Sequence, residues 1–179
     1  MPYYMTSLEK TVESIYNRVG IDEPNIPVDE IARKLGIDLF YGKKTFRIDH
    51  IICLDSKLSK EKIKEVFSHE LCHCLYHVGN QLDMYELYRQ YQEFKADNFA
   101  MHFCIPTFML QKTIIPKQKY HAATFLADLF CVTNEFAFNR IEHYERQLFA
   151  AQFHQRISMC AENRTNYSTA YKVNKSSFK

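Results

Sequence analysis

Apolar residues fall at helical spacing from the start of the chain. In SLEKTVESIYNRVGI, Leu8, Val12, Ile15 and Val19 share one face, and Ser7 stands where a cap is expected, so a helix opens the fold. EPNIP breaks it. VDEIARKLG predicts a short second helix closed by Gly36 at a C-cap position. IDLFY then reads as a strand, Gly42 to Thr45 as a polar turn, and FRIDHIICLDS as one or two further strands, so a small sheet is expected before residue 58. Ser59 can cap the next helix, KEKIKEVFSHELCHCLYHV, with Ile63, Phe67, Leu71, Cys74 and Val78 as its apolar stripe and Gly79 at its end. YELYRQYQEFKADNFAMHFCI predicts another helix, stopped by Pro106, and residues 107–115 a short helix and turn. HAATFLADLFCVTNEFAFNRIEHYERQL reads as helix, short turn and helix, with Ala123, Leu126, Ala127, Phe130 and Val132 packed inside. From about residue 161 the chain is polar and unpatterned, and a disordered or loosely attached tail is expected. There are no internal repeats.

The chain has 179 residues, a length that predicts one main domain with at most a small appendage. It is 46% hydrophobic, with 12 Tyr, 14 Phe and only 4 Gly, a balance that favours a largely helical globular protein. No apolar run approaches the roughly 18 residues that cross a bilayer, so no membrane contact is expected. MPYYMTSLEK lacks the basic and apolar regions of a secretory signal, and a cytoplasmic address is expected. Cysteines stand at 53, 72, 74, 104, 131 and 160 without a CxxC pair. Cys72 and Cys74 point to different faces of a helix, so they read as small buried hydrophobes, not as a bridge or a metal pair. The net charge is +2. It is uneven: residues 1–110 carry 13 basic and 16 acidic groups, and residues 111–179 carry 10 and 5. That leaves a nucleic-acid contact open in the C-terminal part without requiring one.

The chemistry concentrates in SHELCHCLYH. His69-Glu70-x-x-His73 is an H-E-x-x-H on a predicted helix. With 8 His and 13 Glu in the chain, chance would produce this pattern with a probability of roughly 2–3%, so the motif alone is a hypothesis, strengthened by its place in a helix whose other face is apolar. Residues i and i+4 stack one turn apart, so two imidazoles can converge on one Zn²⁺. Glu70 is turned off the ligand axis and can take a proton from water at the metal. A catalytic zinc needs a third protein ligand. His77 continues the row, but it stands about 12 Å from His69 along the axis, so it reads as a packing or hydrogen-bonding residue near the site. Glu93, on the following helix, is the preferred third ligand. Asp97, one turn on, is placed to accept a hydrogen bond from a ligating imidazole. Glu93, Ala96, Asp97 and Ala100 share a face on which the alanines permit close approach to the zinc helix. Glu86 is the rival ligand.

FSHELCHCLYH, EFKADNFA and CIP together resemble the ImmA/IrrE family of bacterial and phage metallopeptidases. In that family an H-E-x-x-H helix is followed by an E-x-x-A-[ND]-x-F-A helix that runs into a proline. The resemblance extends more weakly from IPVDEIARKLGIDLFY to the helix pair near 122–145. Cys72 stands where the family often has glycine, and a small residue is kept. The resemblance implies an α+β, mostly helical zincin-like fold with a small β-sheet and a C-terminal helix-turn-helix-like part. Residues 1–115 would form the metallopeptidase domain, 116–160 the helix-turn-helix-like helices and 161–179 a flexible tail. It implies Zn²⁺ held by His69, His73 and Glu93, with Glu70 as general base. The spacing is also similar to that of thermolysin-like gluzincins, with Glu93-x-x-x-Asp97 in the place of their ligand and its hydrogen-bonding partner.

The implied role is an endopeptidase that cleaves a helix-turn-helix repressor and so releases a prophage, mobile-element or stress regulon. A second reading is a metal-stabilised anti-repressor that sequesters its partner without cutting it. Substrate is expected to add as a strand along HIICLD, at His50, Ile51, Ile52 and Cys53, unless that segment is a central strand with no exposed edge. DNA binding through residues 122–145 is a third possibility. Glu135, Glu142 and Glu145 on the candidate recognition helix oppose it.

Overall fold

The structure, a computed structural model, describes residues 3–77, 84–153 and 157. Helix α1 (Ser7–Val19) is capped by Thr6 instead of Ser7. The hydroxyl of Thr6 accepts from the Glu9 amide at 3.3 Å, and the Glu9 carboxylate accepts from the Thr6 amide at 2.7 Å. A cap at Ser7 would put Lys10 at the third helical position, where it could not reciprocate; Thr6 puts Glu9 there. Val12, Ile15 and Tyr16 are buried, and the Tyr16 hydroxyl donates to the Phe103 carbonyl at 2.7 Å. Helix α2 (Val28–Leu35) ends at Gly36, whose φ of 72° lies in the left-handed region that glycine adopts without a Cβ clash.

Strands β1 (Asp38–Gly42), β2 (Phe46–Ile48) and β3 (Ile51–Asp55) form a sheet of order β1-β3-β2, with β1 parallel and β2 antiparallel to β3. Phe40, Cys53 and Phe46 lie opposite one another in the register. Ile52 and Leu54 point the other way and are fully buried. Gly42 ends β1, where a Cβ would meet the Cys53 sulfur of β3 at 2.9 Å.

Helix α3 (Lys60–Tyr76) is capped by Ser59, as expected, and ends with His77 as C-cap. The expected stop at Gly79 and the stripe position Val78 lie outside the described residues. The buried face keeps Phe67 and Leu71 of the predicted stripe but is rotated away from the rest of it. It comprises Lys64, Glu65, Phe67, Ser68, Leu71, Cys72 and His73, while Ile63 and Cys74 are partly exposed. Polar side chains are taken inside because they hold other helix ends. Lys64 donates to the carbonyls of Pro24, at 2.9 Å, and Phe130, at 2.6 Å. Phe130 is the last residue of helix α6 (Lys119–Phe130), where a cation meets the negative end of the helix dipole. The carboxylate of Glu65 accepts from the amide and hydroxyl of Thr133 at 2.8 and 2.7 Å. Thr133 in turn accepts from the Phe136 amide, capping helix α7 (residues 134–153).

Helix α4 (Glu86–Cys104) runs beside α3, with Ala96 and Ala100 buried between them, and stops before Pro106. Helix α5 (Thr107–Leu110) follows. Arg140 is fully buried and donates to the Ile105 carbonyl and the Thr107 hydroxyl, which itself donates to Glu9 at 2.6 Å. Ala123, Leu126, Ala127, Phe130 and Val132 are buried as expected. The fold is α+β, mostly helical and zincin-like. Met5–Ile141 forms one compact unit; described residues 3–4 and 142–153 belong to a second. The expected tail from 161, like Cys160, lies outside the described residues.

Candidate metal centre

The second half of α3 carries His69, Glu70 and His73, and α4 brings Glu93 against them. The Nε2 atoms of His69 and His73 are 3.1 Å apart. Glu93 places Oε2 3.1 Å from His69 Nε2 and Oε1 3.5 Å from His73 Nε2. One ligand atom from each residue fits within 4.8 Å of the others. Tetrahedral coordination with Zn–N near 2.0–2.1 Å separates neighbouring donor atoms by about 3.3 Å. The three groups therefore have the spacing and the chemistry of a ligand set for one small divalent cation.

Each imidazole has a partner on its far nitrogen. His69 Nδ1 lies 2.8 Å from Asp97 Oδ1. A carboxylate accepts, so Asp97 holds a proton on Nδ1, while Nε2 turns into the cluster and faces Glu93. His73 Nδ1 lies 2.7 Å from His77 Nδ1. Burial pushes His73 down to about 4, with the charges of His69 and His77 adding to it and Glu93 opposing. Its ring is thus neutral at ordinary pH, the form that binds metals. Glu70 is shifted the other way. Burial raises its carboxyl above the usual carboxylate range, against the nearby positive charges of His69 and Arg47.

The rival Glu86 is not in the cluster. It pairs with Arg89 and accepts from Gln90 at 2.8 Å, at the exposed start of α4. The sheet corrects the expected substrate edge. His50, Ile51, Ile52 and Cys53 lead into and occupy β3, which is hydrogen-bonded on both sides and offers no free edge. His50 instead faces Asp38 at 3.3 Å. The free edges among the described residues are β1 and β2.

The sequence pattern assigns no role to Arg47. It lies on β2 with its side chain mostly buried, and its Nε is 3.7 Å from Glu70 Oε2. The available signal was alternation: in Phe46-Arg47-Ile48 the charged residue takes the face opposite to its apolar neighbours. A cavity of about 350 Å³ opens beside His69 and Asp97, walled by Val66, Ala100, Met101 and Phe136. Among the described residues the cysteines are free. Burial raises Cys72 to about 12 and Cys74 to about 11, which leaves both as inert thiols.

A family model for the IrrE N-terminal-like domain, a peptidase family, matches residues 32–142. Over 161 residues the chain is 39% identical to the phage-like element PBSX protein XkdA of Bacillus subtilis (strain 168), covering 87% of this chain and 81% of that one. Over 164 residues it is 35% identical to the uncharacterized protein YqaB of the same organism, covering 88% and 95%. A solved Mycobacterium tuberculosis transcriptional regulator is similar in fold, with a TM-score of 0.57 at 15% identity. That likeness covers 75% of this chain and 46% of the regulator.

Proposed function

The chain belongs to the IrrE N-terminal-like peptidase family, and from that premise we propose that it is a zinc-dependent endopeptidase acting on a helix-turn-helix repressor of a phage-like element. The observation that carries this reading is the convergence of two imidazole nitrogens and a carboxylate oxygen at 3.1–3.5 Å, with a second carboxylate, Glu70, beside them. His69, His73 and Glu93 would hold the ion. When bound there, zinc supplies Lewis acidity and lowers the pKa of water from 15.7 toward about 7.

The chain's own residues do the rest. Asp97 keeps the proton of His69 on Nδ1 and so fixes the ring. Glu70 takes a proton from water as the water oxygen attacks the scissile carbonyl carbon. It returns that proton to the amide nitrogen as the C–N bond breaks, and the second proton of the water passes from the new carboxyl group to the amine, so one water is consumed and a carboxylate and an ammonium group are released. Burial of Glu70 strengthens it as a base. A substrate strand lies along the free edge of β2, where Arg47 reaches toward Glu70. The cavity beside His69 takes an apolar side chain flanking the scissile bond.

Kinship with a phage-like element protein supports the setting. Helices α6 and α7 serve packing or repressor docking in this reading. The Glu65 carboxylate occupies the amide end of α7, and Glu135 is exposed in its first turn, which together repel phosphate. No helix among the described residues is long and apolar enough to cross a membrane, and we assign the protein to the cytoplasm, where a repressor is met.

The test is co-expression of the nearest encoded helix-turn-helix repressor with wild type and with Glu70→Gln. An amide cannot accept the proton, so cleavage should fall by about 10²–10⁴-fold while zinc is kept. Repressor fragments with wild type alone are expected by mass spectrometry. Equal derepression by both proteins without fragments would show sequestration in place of proteolysis.

A further inference from the structure

The metal cluster requires His73 to present a lone pair on Nε2, and nothing in an isolated imidazole decides which nitrogen carries its proton. For His69 the decision is made by Asp97. For His73 the group on the far nitrogen is another imidazole, 2.7 Å away. Two proton arrangements satisfy a hydrogen bond between the Nδ1 atoms of His73 and His77. If His77 donates, His73 carries its proton on Nε2 and cannot bind a cation there. If His73 donates, its Nε2 lone pair turns into the cluster and His77 carries its own proton on Nε2.

We propose that His77 is a positioning residue of the metal centre: its Nδ1 lone pair holds the proton of His73 on Nδ1 and thereby aims the Nε2 lone pair of His73 at the metal. The inference rests on the metallopeptidase reading above. Three further observations support it. His77 has left the helix as its C-cap, yet its amide still donates to the His73 carbonyl at 3.2 Å, which keeps it one turn behind that ligand. The two rings lie 4.7 Å apart at 60°, an edge-on arrangement that suits an in-plane N–H bond. The remaining polar atom, His77 Nε2, is buried without a hydrogen-bond partner among the described residues, so the hydrogen bonding of this ring goes to His73. His77 is too far along α3 to be a ligand itself, which separates this role from that of a third histidine at the ion. The two imidazole ligands are therefore supported differently, His69 by a carboxylate and His73 by a neutral ring.

The test uses the full chain and zinc itself. Zinc affinity is measured by competition with a chelating dye for wild type, His77→Leu and His77→Asn. Leucine keeps bulk and removes the acceptor. Asparagine places an oxygen acceptor near the position of Nδ1. Loss of such a partner weakens metal binding by about 10–100-fold, so His77→Leu should fall in that range and His77→Asn within about threefold of wild type. A second readout needs no variant. In zinc-loaded protein labelled with ¹⁵N-histidine, a scalar coupling across the hydrogen bond should join the Nδ1 atoms of His73 and His77, with the proton on His73. Absence of the coupling, wild-type affinity in His77→Leu, or equal weakness of both variants overturns the proposal while the peptidase reading stands. A wild-type protein that binds no zinc removes both.

Discussion

In the first half of α3, buried polar groups meet partners of the opposite kind. Lys64 donates to two carbonyls, Glu65 accepts from Thr133 and Lys62, and Ser68 donates to the Lys64 carbonyl. In the second half the pattern changes. His69, His73 and Glu93 bring two imidazole nitrogens and a carboxylate oxygen together at 3.1–3.5 Å, each able to act as a metal ligand, and Asp97 stands on the far nitrogen of His69. Both halves bury polarity in one helix, and burial alone does not separate structure from chemistry. The sign of the partner does. A donor facing an acceptor closes a structural account, whereas two imidazoles and a carboxylate that can turn their lone pairs to one point offer a cation a site.

The sharpest way to break this contrast is to remove an acceptor from the second half. Glu93→Gln should weaken zinc by more than about 100-fold, a larger loss than the removal of a supporting residue brings. Glu86→Gln should leave zinc binding at the wild-type level in the same dye competition. The reverse order would show that the cluster is not the metal site.

The first half should respond in stability instead. Lys64→Met leaves the Pro24 and Phe130 carbonyls without their donor. This should cost about 1–3 kcal/mol in denaturant unfolding, mostly from the buried Phe130 carbonyl left unsatisfied, with the part-buried Pro24 carbonyl adding less. Zinc affinity should stay unchanged. A variant that unfolds normally but loses zinc would blur the two halves into one.

The smallest effect concerns pH in the metal-free protein. His73 is lowered to about 4 in the fold, from an ordinary value of 6.5. Between those values the unfolded chain binds a proton that the folded chain does not, so stability falls as pH is lowered through that window. Thermal unfolding of the chelator-treated protein from pH 7.5 to pH 4 should show the decline. Zinc-loaded protein should hold its stability further down the range, because the ion competes with the proton for His73.

Much of this was legible in the sequence, for local reasons. Helix stops at Gly36 and before Pro106, the Ser59 cap and the pairing of His69 with His73 follow from spacing along single helices, and the small residues Ala96 and Ala100 beside Glu93 signalled the close approach of the next one. The buried face of α3 was not legible, because Lys64 and Glu65 are drawn inward by Phe130 and Thr133, residues 66 and 68 positions away. The order of the sheet was missed for the same kind of reason. β1 pairs with β3 and skips β2, a long-range choice that makes β3 central and removes the edge expected at His50 to Cys53. Arg47 is not legible in the sequence because its meaning depends on which face of a three-residue strand turns toward Glu70.

The central claim is that the unmatched half of α3, with Glu93, holds a metal ion. Elemental analysis of protein purified without chelators, for wild type and His73→Ala in parallel, tests it most directly. The account predicts about one zinc per wild-type chain, the stoichiometry of a three-ligand catalytic site, and almost none in the variant. Wild-type protein free of zinc, or His73→Ala that retains it in full, would contradict it.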